Sequence, residues 1–243
     1  MEATLERFTS AGAQRSRTWK QERAGYCTGS EFKSAMAFKK GARLVTHADA
    51  RTFELKARAD YRLQCVVERL TGIPSASFST RPMERGIELE PTARLAYEEM
   101  KGVLVEESDF VPHPTLEWCG VSVDGLVGED GTIEIKCPNP ETHLRTILLR
   151  NEALAKVLGA GVDTGDHSLV PEEHLPQIQG GLWVTGRKWC DFISYDSRFP
   201  EHLRLYVQRV ERNDAYIQVL EQLVGIFLNE VEDALSQLLG VNA

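Results

Sequence analysis

The sequence predicts a mixed fold of the α/β (α+β) class, and three observations carry that expectation. Segments with helical and with strand spacing of apolar residues are interleaved along the chain. A β-hairpin pattern lies near its middle, and a long amphipathic helix closes it. Helices and strands in this order suggest helices packed on a sheet.

Taken in order, residues 30–38 read as a short helix, capped by Thr28 or Ser30, with Phe32, Ala35 and Met36 on one face. Residues 55–71 read as a longer helix in which Leu55, Ala59, Leu63, Val66, Val67 and Leu70 follow helical spacing, ended by Gly72. Residues 83–100 have helical composition around Leu89, Ala93, Ala96 and Tyr97, and strand candidates follow at 103–107 and 115–119. At 121–127 and 132–136, β-branched residues flank the turn Gly128-Glu129-Asp130-Gly131, the pattern of a hairpin. Strands at 190–195 and 203–210 are separated by a loop around Pro200. Over 214–239, Ile217, Leu220, Val224, Phe227, Val231, Leu235 and Leu238 recur at the spacing of a core-packing helix. No repeat, low-complexity tract or linker divides the chain, so 1–243 is expected to form one domain.

No apolar run reaches the roughly 18 residues of a membrane span, and the first seven residues lack the apolar core of a signal peptide. A cytoplasmic protein without membrane association is therefore expected. The five cysteines, Cys27, Cys65, Cys119, Cys137 and Cys190, are dispersed with no Cys-x-x-Cys pair. That disfavours a disulfide framework, a structural zinc and an iron–sulfur cluster. The net charge of −8 runs against a polyanionic partner, but its distribution does not: residues 1–58 carry 12 Lys and Arg against 6 Asp and Glu, and the rest 16 against 30. Lys39, Lys40 and Arg43, with Arg15, Arg17, Lys20 and Arg23, are candidates to face a polyanion.

Within the hairpin, Ile133 and Ile135 alternate with Glu134 and Lys136, so a carboxylate and an ammonium share one strand face. Asp124 lies on the preceding strand and folds back to within one or two residues of Glu134. Carboxylate oxygens with no Cys or His pair suit Mg²⁺ or Mn²⁺, and a lysine beside them can orient or deprotonate a water, the latter helped by a lowered pKa. This is the chemistry of phosphodiester hydrolysis. A turn centred between Glu129 and Asp130 would pair Asp124 with Ile135 and point it to the isoleucine face. A bulge, for which Gly125 is suited, or an end to the pairing before Asp124 is then required.

Five separated patches, from Trp19 to the C-terminal helix, resemble the phage lambda-type alkaline exonuclease, or YqaJ viral recombinase, family. The first is Trp19-Lys20-Gln21-Glu22-Arg23-Ala24-Gly25 with Thr28-Gly29-Ser30-Glu31, where the resemblance implies that Arg23, Thr28 and Ser30 hold a DNA 5′-phosphate. Gly86 to Arg94 resembles the helix that supplies an acidic metal ligand, which is Glu90 by alignment, Glu88 being the weaker candidate. Ser122-Val123-Asp124-Gly125 and Glu134-Ile135-Lys136-Cys137-Pro138 imply metal ligands in Asp124, Glu134 and the Ile135 backbone carbonyl, a catalytic Lys136, and a further phosphate-binding hydroxyl in Ser122. Val123 departs from the family's usual proline. The fifth patch, His174 to Trp183, implies that Gln177 positions the water and the lysine, with His174 beside it and Pro176 in the first helical turn. The loop from Gly159 to Val170 has no assigned role.

The resemblance implies a restriction-endonuclease-like core of the PD-(D/E)-x-K type, with a central mixed β-sheet flanked by helices. It further implies a Mg²⁺-dependent 5′→3′ exonuclease, with one or two ions, that degrades one strand of double-stranded DNA from its end. The product is a 3′ overhang for single-strand annealing. A homotrimeric ring around DNA, a single-strand annealing protein as partner, and a phage or prophage gene acting in the bacterial cytoplasm complete the expectation. A structure-specific or restriction-type endonuclease, or a DNA-end-binding protein without activity, are the alternatives.

Overall fold

The computed structural model of the chain describes residues 17–41, 47–75, 80–160 and 169–240. Arg15 and Arg43 of the basic set, and the interior of the loop between Gly159 and Val170, lie outside the described residues. The chain runs α1 (Arg17–Glu22), β1 (Cys27–Thr28), a 3-10 turn (Gly29–Glu31), α2 (Phe32–Ala35), α3 (His47–Phe53), α4 (Lys56–Thr71) and α5 (Arg81–Lys101). Then follow β2 (Val111–Pro112), β3 (Cys119–Val121), β4 (Gly125–Val127), β5 (Gly131–Lys136), α6 (Pro140–Leu148) and α7 (Glu152–Val157). A 3-10 turn (Glu172–His174) leads into α8 (Leu175–Thr185), β6 (Trp189–Tyr195), β7 (Leu205–Glu211) and α9 (Asp214–Leu239).

The strands form two mixed sheets, ordered β1-β3-β2 and β4-β5-β6-β7. In the second, the parallel pair β5–β6 is flanked by two antiparallel pairs. Helix α5 packs on β5, β6 and β7, while α8 touches β3 of one sheet and β5 and β6 of the other. Close approach seats α8 on α2 as well: a Cβ at Gly180 of α8 would meet the Phe32 ring at 2.3 Å. One core gathers Cys27, Phe32, Tyr61, Trp183, Leu220 and Phe227; another gathers Tyr97, Ile133, Ile135, Ile193 and Tyr195.

The mixed α/β class holds, with several local corrections. Helix α2 stops at Ala35, not at 38, because the chain turns into a bridge between Phe38 and Glu54. Thr28 precedes the first 3-10 turn but its side chain makes no capping hydrogen bond. Residues 103–107 form no strand, only a single bridge from Glu106 to Leu126. Residues 115–119 begin as a turn, in which His113 Nδ1 accepts from the amides of Thr115 and Leu116, and the strand starts at Cys119. The expected strand at 121–127 is divided between the two sheets.

Helix α4 buries a different face from the one its apolar spacing predicts. Leu55, Leu63, Val67 and Leu70 are exposed, and Arg58, Tyr61, Cys65, Val66 and Glu68 are buried. Two polar residues explain the rotation. Fully buried Arg58 donates to Ala35 O at 2.9 Å, Glu54 at 3.0 Å and Glu230 of α9 at 2.7 Å. Tyr61 stacks on Phe227, and its hydroxyl accepts from Thr28 N at 3.0 Å while donating to Tyr26 O. Glu230 also takes Arg62 at 2.8 Å, so removing its carboxylate leaves two guanidinium groups to share Glu54, which pairs with both. Glu230→Ala is expected to cost about 3 kcal/mol, read from the urea midpoint; a loss under about 1 kcal/mol would show that Glu54 alone satisfies both guanidinium groups.

Candidate active site

The site forms where β5 ends. Gly131 through Ile135 are buried on both strand faces, as suits a strand paired on both edges inside a sheet, so the isoleucine face and the Glu134 face are both interior. Hairpin register decides the position of Asp124. Gly125 pairs with Ile133 and Val127 with Gly131, which leaves a three-residue loop, Gly128, Glu129 and Asp130. Gly128 takes the left-handed conformation, φ +54°, that leads the chain out of the ladder. Continued by one residue, this register sets Asp124 opposite Glu134 and not Ile135. The facing conflict is thus removed by loop length, without a bulge. Gly125 serves packing instead, since a Cβ there would meet Val105 Cγ1 at 2.2 Å.

Asp124 is anchored by the amide of Ile135, which donates to its Oδ2 at 2.7 Å. Lys136 Nζ stands 2.5 Å from Glu134 Oε1 and donates to Gln177 Oε1 at 3.2 Å. Glu90 of α5 is buried and faces Arg94 at 3.8 Å, whereas Glu88 is exposed. Arg94 also donates to the Asp124 carbonyl at 3.1 Å and to Glu107 at 2.8 Å. It ties α5 to the hairpin. Pro91 lies inside α5 directly after Glu90 and removes one backbone donor there.

Burial first, then the neighbouring charges of Glu134 and Glu90, raise the Asp124 carboxyl well above its ordinary range. Burial lowers the Lys136 ammonium, but Glu134 and Asp124 outweigh it and the net shift is upward. Toward the chain's own carboxylates the lysine is thus held as an ammonium. Among the described residues no three His, Cys, Asp or Glu side chains stand close enough to hold an ion as they are. The donor chemistry nevertheless fits a hard divalent cation: buried carboxylates crowd one another, and their oxygens are the ligands such an ion takes.

Helix α8 supplies the other wall. Pro176 occupies its first turn, as expected, and Gln179 is structural, donating to Glu211 O and accepting from Asn213 N. Gln177 and His174 line an open cleft of about 240 Å³ together with Gly29, Ser30, Lys33 and Glu173. Lys33 was not singled out by the sequence. The His174 ring stacks on Phe192, and burial, then Lys136 and Lys33, hold its imidazole down to about 4. The unfolded chain protonates this group near 6.5 and the folded chain near 4, so stability is lost as pH falls through that window. His174→Asn should flatten that dependence. Urea midpoints at about pH 5 and about pH 7.5 test this; an unchanged difference between them contradicts it.

Across the cleft, Arg23 Nη2 donates to Ser30 Oγ at 3.3 Å, and Ser30 Oγ lies 3.4 Å from Thr28 Oγ1. Ser122, just past β3, accepts from Trp19 Nε1 at 3.1 Å. Ser30 opens onto the same cleft as Gln177, so the hydrogen-bond partner of Arg23 and the hydrogen-bond partner of Lys136 face one opening.

Residues 18–188 match the model of the YqaJ-like viral recombinase domain. The fold is similar to that of an alkaline exonuclease, LHK-Exo, from Laribacter hongkongensis. That match has a TM-score of 0.74 and 34% identity, covering 92% of this chain and 96% of that one. The structure of LHK-Exo in complex with dAMP matches at 35% identity and a TM-score of 0.72 over the same shares. A phage related exonuclease from Haemophilus somnus 129PT shares the fold at 14% identity and a TM-score of 0.61, covering 87% of this chain and 95% of that one. Over 74 residues, 30% of this chain and 84% of the relative, the ExoD protein of Escherichia coli strain K12 is 27% identical.

Proposed function

Because the chain belongs to the YqaJ-like viral recombinase domain family, we propose that it is a Mg²⁺-dependent exonuclease degrading one strand of duplex DNA in the 5′→3′ direction. The observation that carries this reading is that Ser30, which accepts from Arg23, and Gln177, which accepts from Lys136 beside Glu134, line one cleft. The dAMP held by the Laribacter neighbour has the chemistry of a single released nucleotide and supports the reading.

Asp124, Glu134, Glu90 and the Ile135 carbonyl would hold one or two Mg²⁺, or Mn²⁺ as substitute. When bound, such ions stabilise charge on the attacking and leaving oxygens. Lys136, an ammonium turned by Gln177 Oε1, orients the attacking water and balances carboxylate charge. His174 stays neutral beside it and adds no competing cation. Arg23 and the three hydroxyls grip the 5′-terminal phosphate, a guanidinium matching phosphate geometry.

The remaining parts of the proposal are a single domain, a homotrimeric ring around DNA, and a single-strand annealing protein that takes the 3′ overhang. The setting is a phage or prophage gene acting in the host cytoplasm. No described helix is long and apolar enough to cross a membrane. Linear duplex labelled at either end, incubated with Mg²⁺, tests the activity: label should leave 5′ ends first and only with metal. Preferential loss from 3′ ends would overturn the polarity. Cutting of closed circular DNA would instead identify an endonuclease, and binding without hydrolysis an end-binding protein.

A further inference from the structure

We infer that Trp19 is a positioning residue that builds Arg23 and Ser122 into one phosphate-binding pair, and thereby sets the preference for a phosphorylated 5′ end. The inference rests on the reading above, in which Arg23, Thr28, Ser30 and Ser122 hold the terminal phosphate.

Arg23 follows α1, and Ser122 follows β3 on the far side of the sequence, yet one side chain touches both. The indole Nε1 of Trp19 donates to Ser122 Oγ at 3.1 Å, and the Arg23 guanidinium lies 3.8 Å over the indole ring. Each contact constrains what its partner can offer a ligand. An indole nitrogen is a donor only, so it occupies a lone pair of Ser122 and leaves the hydroxyl proton to be given elsewhere. A phosphate oxygen is the acceptor that such a hydroxyl suits. For Arg23, stacking fixes the plane in which its N–H groups point, and Nη2 already donates within that plane to Ser30 Oγ at 3.3 Å. The ring face also attracts the cation without neutralising it, so the full charge remains available to a dianionic terminal phosphate.

Ser122 stands two residues before Asp124. Trp19 therefore also links the end pocket to the short segment between β3 and β4 that carries the candidate metal ligand, and a correctly seated phosphate is held in register with the cutting centre. A tryptophan that only secured α1 would affect every substrate alike. One that shapes the pocket affects phosphorylated ends more than hydroxyl ends.

The test is single-turnover cleavage, with Mg²⁺, of linear duplexes carrying either a 5′-phosphate or a 5′-hydroxyl, read as the ratio of the two rates. Trp19→Phe keeps a ring under Arg23 and removes the donor to Ser122, and should lower the ratio about fivefold, the weight of one ordinary hydrogen bond. Trp19→Leu removes both contacts and should lower it roughly tenfold or more, toward the value of Arg23→Gln. Equal slowing on both ends, with the ratio kept at its wild-type value, would overturn the inference and assign Trp19 a structural role. Arg23→Gln separates the two levels of the argument. If it leaves the ratio unchanged, the end-pocket reading itself falls. If it collapses the ratio while both Trp19 variants keep it, only the role of Trp19 falls.

Discussion

Asp124→Asn should reduce DNA cleavage by ~10³-fold or more and, in the same protein, raise the thermal midpoint measured without metal. The two effects have one cause. Asp124 is buried against Glu134 and within the field of Glu90, and its carboxyl is pushed upward by burial and by those charges. A group whose folded pKa is raised contributes stability below its unfolded pKa, near 3.8, and loses it as pH rises through the folded value. At neutral pH the metal-free site therefore carries an electrostatic penalty. Asparagine can still accept the 2.7 Å bond from the Ile135 amide, so the exchange removes charge with little change of shape. A gain of about 1–2 kcal/mol is expected without metal. Saturating Mg²⁺ should stabilise the wild type by about 3 kcal/mol at a hundredfold excess over its dissociation constant, and the variant far less. Scanning calorimetry with and without Mg²⁺ decides. A variant less stable than wild type in the absence of metal would show that the carboxylates are not crowded.

Lys136→Ala should also abolish cleavage, again by ~10³-fold, but with the opposite effect on the metal-free protein. Its ammonium stands 2.5 Å from Glu134 and inside the field of Asp124, where it supplies positive charge to the carboxylate pair. Removing it leaves both acids without that neighbour and should cost roughly 3 kcal/mol in the absence of metal, discounted from the fully buried range because the side chain is 31% exposed. Mg²⁺ should restore most of that loss, since a divalent ion supplies the missing charge. The pair of variants thus separates chemistry from charge balance: both are inactive, and their metal-free midpoints move in opposite directions. An active Lys136→Ala enzyme, or one whose loss of stability ignores Mg²⁺, would remove lysine from the proposed machinery.

Much of this site was legible before folding, because strand periodicity alone sets Glu134 and Lys136 on one face. Asp124 was harder. Two-residue and three-residue turns both suit the sequence Gly128-Glu129-Asp130-Gly131, they differ by one in register, and local chemistry does not choose between them. Helix α4 was misread for a different reason. Its apolar spacing points to Leu63, Val67 and Leu70, but Arg58 is turned inward by Glu230, whose position 172 residues away no local pattern reveals. The same limit applies to Arg94 and Lys33, whose neighbours come from other elements of the fold.

Ser122 and Asp124 sit in the short stretch of chain that leaves one sheet and enters the other. On the proposed reading, the residue that feels the end of the strand and the residue that serves the cut are therefore no more than about 7 Å apart along the backbone. The polypeptide acts as a ruler, and one too short to mark off an oligonucleotide. On that reading each cut creates a new terminus that must be seated before the next, and the length of the step becomes a property of three consecutive residues, independent of the length of the duplex.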